Sequence, residues 1–495
     1  MPPSPSYQVE MLHATLGEDF FDEVAPAQFP KHVLRYRNQR WAARVGLDHL
    51  TDAEWVDHFG RFQPLPGAFP KPLALRYHGH QFRSYNPDLG DGRGFLFAQL
   101  RDLKDQRLLD LGTKGSGRTP WSRQGDGRLT LKGGVREILA TEMLEALGVV
   151  TSKTFSLIET GEALERGDEP SPTRSSVLVR LSHSHIRIGT FQRLAFLEDN
   201  AAIGRLVDYV IAHYFEEILA EPEARRPEAL LEAVTARVAR LAGSYMCAGF
   251  VHGVLNSDNI NVTGESFDYG PWRFAPSWDA AFTAAYFDQT GLYSFGRQPG
   301  AIAWNLARFA ECLLPLVGLS AAEKAIETYQ LLVRAAFREA LLTRLGLAAA
   351  GEEADARLAK AFVDFMIASR APFAQVFFDW RGGLASAERA KASPASAHYA
   401  GPDFEALRTA LAERGPSPTC RLDDPYFAQE APCDMLIDEV EAIWSAISER
   451  DDWRPLEEKL RLIDEMRRAL EPVEVGAVGE EAKSSRVPSP LAGEG

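Results

Sequence analysis

Residues Gly249 to Gly270 read GFVHGVLNSDNINVTGESFDYG, a stretch that gathers three Asn, two Asp and a His. Asp268 lies nine residues after Asn259, inside an Asp-Tyr-Gly. An amide oxygen and a carboxylate at loop positions are hard ligands. They suit a Mg²⁺ that keeps most of its waters and bridges nucleotide phosphates.

The spacing can be set against the catalytic loop of protein kinases, where the base Asp lies two residues after a His and the metal-binding Asn seven after it. Counted from His252, the metal position falls on Asn259 and the base position on Val254. A valine cannot accept a proton. Asp258, beside Asn259, is a carboxylate to which that geometry gives no role. The loop therefore resembles a kinase site whose metal ligands remain and whose acid/base group has moved.

Upstream, LGDGRG (Leu89 to Gly94) places glycines at 90, 92 and 94, which lets a hairpin backbone approach phosphates closely, and Arg93 adds a cation. An ordinary hairpin fits the same letters. Lys114 ends an apolar run, as the phosphate-binding lysine of a kinase does, and GSGRTPWSRQGDGR after it is a loop too polar for a core, with Asp126 and Gly127 at its tip. Apolar residues at 131, 135, 138, 139, 143, 146 and 147 predict a helix over Leu131 to Leu147, on which Glu137, Glu142 and Glu145 could each pair with the lysine. Arg180 and Arg187 flank Ser-His-Ser-His, where a surface position or a phosphate pocket would serve both. His183 and His185 form an x-spaced pair, a weak metal signal without further ligands.

The loop at 249–270 and GTKGSGRTPWSRQGDGR together resemble the selenoprotein O family, also called YdiU, over roughly Phe20 to Arg308. The resemblance implies a protein adenylyltransferase with ATP bound flipped relative to a kinase, AMP passing to a Ser, Thr or Tyr hydroxyl of another protein. It implies Mg²⁺, with Mn²⁺ as an alternative, on Asn259 and Asp268, and Asp258 as base. Gly90, Gly92, Arg93, Lys114, Asp126, Gly127 and Asp268 would bind the nucleotide. Glu137 is the glutamate it selects to orient Lys114, the other two being left to a solvated face. Arg180 and Arg187 would hold the γ-phosphate. An ordinary phosphotransferase and a non-catalytic nucleotide-binding pseudokinase are the rival readings. Family members show an Asn-Pro…Arg-Asn signature downstream that is not matched between Lys391 and Tyr426, and VPSPLAGEG lacks a terminal redox Cys motif.

These residues need scaffolding, and the expected fold is α+β: a bilobal protein-kinase-like fold with a strand-rich N-lobe and a mostly helical C-lobe carrying family-specific extensions. Residues 1–70 are expected to pack on that core as an extension. Strands within 71–198 build the N-lobe, from Leu73–Phe82, Gly94–Leu100, Arg107–Lys114, Ser152–Ile158 and Val177–Leu181. Helices dominate 199–471, including Ala301–Val317, Ala321–Leu347, Glu353–Ser369, Met435–Ile447 and Leu456–Leu470. The metal loop lies between them, and 472–495 reads as a disordered tail.

The chain has 495 residues, 45% of them hydrophobic, enough for two or three domains with a substantial core. Asp and Glu outnumber Lys and Arg by 69 to 54, a formal charge of −15 that argues against nucleic acid or an anionic membrane as partner. Four scattered cysteines support neither a disulfide framework nor a zinc site; they read as reduced thiols, with Cys420 or Cys433 the place for a redox-sensitive pair. No signal-peptide core precedes Lys31 and no apolar run of membrane-spanning length stands out, so the cytoplasm is the expected location.

Overall fold

A computed structural model describes residues 4–167 and 169–472; the expected disordered tail falls almost wholly outside them. In chain order the strands up to Ser182 are β1 (Val9–Glu10), β2 (Phe21–Glu23), β3 (Val33–Arg37), β4 (Leu73–Leu75), β5 (Gly79–Gln81), β6 (Ser84–Asn86), β7 (Leu96–Arg101), β8 (Leu108–Lys114), β9 (Leu129–Thr130), β10 (Lys153–Leu164) and β11 (Thr173–Ser182). Nine join one antiparallel sheet in the order β2-β4-β7-β8-β11-β10-β3, with β1 on β7 and β9 on β11. The first seventy residues thus enter the sheet itself as β1, β2 and β3. A separate hairpin, β5–β6, interrupts the connection between β4 and β7, so LGDGRG is a loop leading into β7 rather than the turn of a two-stranded hairpin.

Both faces of the sheet are covered, which explains why its central strands are apolar without strict alternation. On one face Leu109, Leu111, Val179 and Leu181 pack with Trp41, Trp55 and Phe59 of α1 (Gln39–Arg44) and α2 (Asp52–Phe59). On the other, Leu108, Leu157 and Leu178 join α3 (Leu131–Ala146) and the helices beyond it. Thr130 caps α3 by accepting from the Gly133 amide, and Leu131, Val135, Ile138, Leu139 and Met143 form its buried stripe. Glu142 and Glu145 do not belong to a solvated face. Glu142 accepts from Tyr36 Oη and Asn38 Nδ2, each at 2.9 Å, and Glu145 from Trp41 Nε1 at 3.0 Å, so together they clasp the end of β3 and the segment after it.

The helices that follow are α4 (Ile188–Phe196), α5 (Asn200–Tyr214), α6 (Arg226–Ala248) and α7 (Gln298–Leu345). The last comprises the two expected helices, which meet at a break at Gly318 (φ 76°) just after Pro315, which cannot donate to the helix ladder. One span, Phe295–Leu345, has a window of mean hydropathy 1.3, long and apolar enough by composition to cross a membrane, contrary to the sequence expectation. Its apolarity has a local cause: Ile302, Leu306, Phe309 and Leu313 are fully buried in the main core, against α6 and α4. Gly249, at φ 69°, ends α6 in the left-handed conformation and turns the chain into the loop at 249–270.

That loop returns to the sheet at Glu265, whose Oε2 accepts from the His183 amide at 2.7 Å. Burial pushes its carboxyl up to about 7, with Lys153 pulling the other way. A folded-state value above the unfolded one means the native chain binds the extra proton between about pH 4.5 and 7, so stability falls as pH rises through that window. Glu265→Gln removes the titration while keeping the acceptor. In urea melts the variant should match wild type near pH 5 and exceed it at pH 8 by on the order of 3 kcal/mol.

Candidate active site

Three elements deliver the charged centre of the molecule. Lys114 stands at the end of β8, Glu137 on the buried side of α3, and Asp268 on the loop after α6. Lys114 Nζ lies 2.8 Å from Glu137 Oε2 and 2.9 Å from Asp268 Oδ1. Arg180 of β11 adds its Nη2 to the same Asp268 oxygen at 3.3 Å and lies 3.9 Å from Glu137. Burial disfavours a charged Asp268, but Lys114, Arg180, Arg187 and Arg93 outweigh it and hold the carboxyl well below the usual range. Asp268 itself takes φ 63°, a left-handed conformation tolerated by Asp. It is held there by its neighbour: His252, kept neutral by burial, bonds from Nε2 to the Phe267 carbonyl at 3.0 Å.

Above this centre opens a cavity of about 620 Å³. Gly90, Gly92, Arg93, Lys114, Asp126, Gly127, Arg180, Arg187, Asp258, Asn259 and Asp268 all border it, and Glu137 lies beneath it. The residues singled out in the sequence therefore meet at one place. Three of the glycines have a packing reason that the sequence does not reveal. A Cβ on Gly90 would meet the Trp121 ring at 2.4 Å, one on Gly92 the Trp121 carbonyl at 2.8 Å, and one on Gly127 the Gly117 carbonyl at 2.3 Å. The glycine loop is thus closed over by the segment after Lys114. Asp126 turns its carboxylate to Arg166 on the β10–β11 hairpin, at 2.8 Å, and so ties that segment down at the rim.

Arg187 enters from the pairing of residues 186–188 with 260–262, through the Ile188 amide to the Ile260 carbonyl and the Val262 amide to the Ile186 carbonyl. Its guanidinium stacks 4.1 Å over Tyr77, reaches Asp91 at 3.2 Å and donates to the Asp258 carbonyl at 3.3 Å. Tyr77, Asp91 and Trp121 also line the cavity and were missed, and so does His185, which the sequence offered only as a weak metal signal. Asp91 was legible, since it sits inside the quoted LGDGRG; Tyr77 carries no local signal.

Asp258 sits in a single turn, Ser257–Asn259, anchored by the Ser257 hydroxyl to the His80 amide at 2.7 Å. Burial raises its carboxyl to about 6 despite Arg187, and its Oδ1 has no hydrogen-bond partner among the described residues. Asn259 donates Nδ2 to the Val254 carbonyl at 3.1 Å, which leaves its Oδ1 buried and unpartnered. An orphaned amide oxygen in the cavity that Asp268 borders fits a hard divalent cation whose other ligands are water or phosphate. Among the described residues no cluster of three or more His, Cys, Asp or Glu could hold a metal, and a cation bound largely through phosphate needs none. His183 is occupied with the Leu108 carbonyl through Nδ1 at 2.9 Å, and all four cysteines are free thiols.

A buried lysine flanked by acids, paired arginines and a glycine loop around one cavity is the equipment of a protein that handles phosphate esters. The chain is 45% identical to the protein nucleotidyltransferase YdiU of Gloeobacter violaceus over 457 residues, covering 90% of this chain and 92% of that one. It is 42% identical to the YdiU of Synechocystis over 455 residues (89% and 94%), and 40% to that of Trichodesmium erythraeum over 477 (92% and 98%). It is a nucleotidyltransferase. A family model described as "Protein adenylyltransferase SelO" matches residues 4–464, and the chain belongs to that family. The match runs far beyond Arg308, where the resemblance read from the sequence stops, and an adenylyltransferase takes ATP as its substrate.

Removing one partner of a buried ion pair strands the other. Glu137→Ala should therefore lower unfolding free energy by roughly 3–5 kcal/mol, read by urea denaturation, and Glu137→Gln should lose less by keeping an acceptor.

Proposed function

We propose that the protein transfers AMP from ATP to a Ser, Thr or Tyr hydroxyl of a protein acceptor, on a bilobal kinase-like scaffold with the nucleotide reversed relative to a kinase. The observation that carries this reading is the pair at the loop turn: Val254 where a kinase base would stand, and Asp258 with a buried, unpartnered oxygen facing the same cavity. Arg180 and Arg187 receive the terminal phosphates, so that the α-phosphorus turns toward Asp258. Lys114, oriented by Glu137, neutralises phosphate charge, and Gly90, Gly92 and Arg93 border the nucleotide under the cover of Trp121.

Asn259 and Asp268 would hold Mg²⁺, which supplies charge neutralisation on the phosphate oxygens. Asp258 accepts the acceptor hydroxyl's proton as its oxygen bonds to the α-phosphorus. The bond from that phosphorus to the bridging oxygen breaks, and pyrophosphate leaves with the electron pair. Positioning and fixed charge carry most of such a transfer, which matches a site with many cations and one base.

ATP labelled separately at the α and γ positions tests the reading. The expected result is α-label on protein with release of pyrophosphate, whereas γ-label on protein would mark an ordinary phosphotransferase and replace it. Asp258→Ala should cut turnover by roughly 10²–10⁴-fold with nucleotide affinity nearly intact. Asp268→Ala should abolish transfer together with metal-dependent ATP binding, measured by calorimetry.

A further inference from the structure

Alternate residues of a strand share a face, so Asp110, Gly112 and Lys114 point to the same side of β8. Gly112 leaves a gap in that row, and the imidazole of His185 fills it: a Cβ at 112 would lie 2.2 Å from His185 Nε2. Arg180 is the cross-strand partner of Gly112, which places its guanidinium on the same face, next to the ring. The histidine is only 5% exposed and borders the cavity between Lys114 and the two arginines.

Asp110 sets the ring's position. Its Oδ2 accepts from the His185 amide at 2.9 Å and lies 3.5 Å from Nδ1, while its Oδ1 is held by Gln99 Nε2 at 2.8 Å. Among the described residues neither ring nitrogen of His185 has a hydrogen-bond partner. Buried polar atoms are normally satisfied, so an orphaned nitrogen at the wall of a cavity marks a place where a ligand atom belongs. His13 also feels the Asp110 charge, but it does not border the cavity.

We propose that His185 is a further phosphate-contact residue: its Nε2–H donates to an oxygen of the terminal phosphates of the nucleotide, beside Arg180 and Arg187, with Asp110 orienting the ring. Gly112 is glycine because that ring must lie where a side chain would be. The inference rests on the reading above that the terminal phosphates lie at the arginines.

The test compares nucleotides that differ only in those phosphates. By calorimetry with Mg²⁺, His185→Phe should weaken ATP and ADP about tenfold relative to wild type and leave AMP unchanged, with His185→Gln restoring part of the loss. Equal losses for all three nucleotides, or no loss for ATP, would overturn the proposal. Should the Phe variant lose its thermal transition, wild-type protein labelled with ¹⁵N-histidine decides instead. The Nε2 resonance absent from the Gln variant must shift with ATP and not with AMP, and a shift with both or neither refutes the contact. A wild-type chain that binds ATP but places no α-label on protein would defeat adenylyl transfer while leaving this comparison intact.

Discussion

Lys114, Glu137 and Arg180 are almost wholly buried and meet the partly exposed Asp268 in one charge cluster, and the arrangement of the molecule around its cavity depends on it. Ionised groups out of water are costly unless paired at close range, so each member constrains the element that carries it. Through them the end of β8, the buried face of α3, the C-terminal part of β11 and the loop after α6 are fixed against one another. The same cluster leaves a lysine and an arginine directed at the cavity. Joining sheet to helices and preparing a seat for phosphate are therefore one interaction.

Two carboxylates in that cavity illustrate how position decides chemistry. Asp268 is held well below its ordinary range because four cations together outweigh its burial, which keeps it an anion suited to a metal. Asp258 has chiefly Arg187 opposing its burial and rises to about 6, the direction expected of a group that exchanges protons. The aligned arginine is itself steadied by Tyr77 and Asp91, so the cation meant for phosphate is presented in one orientation before any ligand arrives. Preorganised charge of this kind stabilises a transition state without reorganisation during the reaction.

Much of this was legible. The period of α3, the strands ending at Lys114 and Ser182, and the helix running to Gly249 follow from apolar spacing and from a glycine at a helix end, which are local properties. The cavity residues were legible because hard-ligand and phosphate-binding chemistry restricts residue types at short spacings, as in the loop at 249–270. What escaped was non-local. Glu142 and Glu145 looked like a solvated face because their partners, Tyr36, Asn38 and Trp41, lie about a hundred positions earlier. The two helices of α7, by contrast, were legible on either side of the break at Gly318.

The sequence alone determined which chemistry the chain can host, since an amide, two carboxylates, a lysine and two arginines keep their ligand preferences wherever they are placed. It also determined the local elements that carry them. Only the tertiary structure decided that Trp121 closes over the glycine loop and that His185 occupies the gap at Gly112. The reason is physical: residue type and spacing act within a few positions, whereas pairing, desolvation and the shape of a cavity arise between segments far apart in the chain.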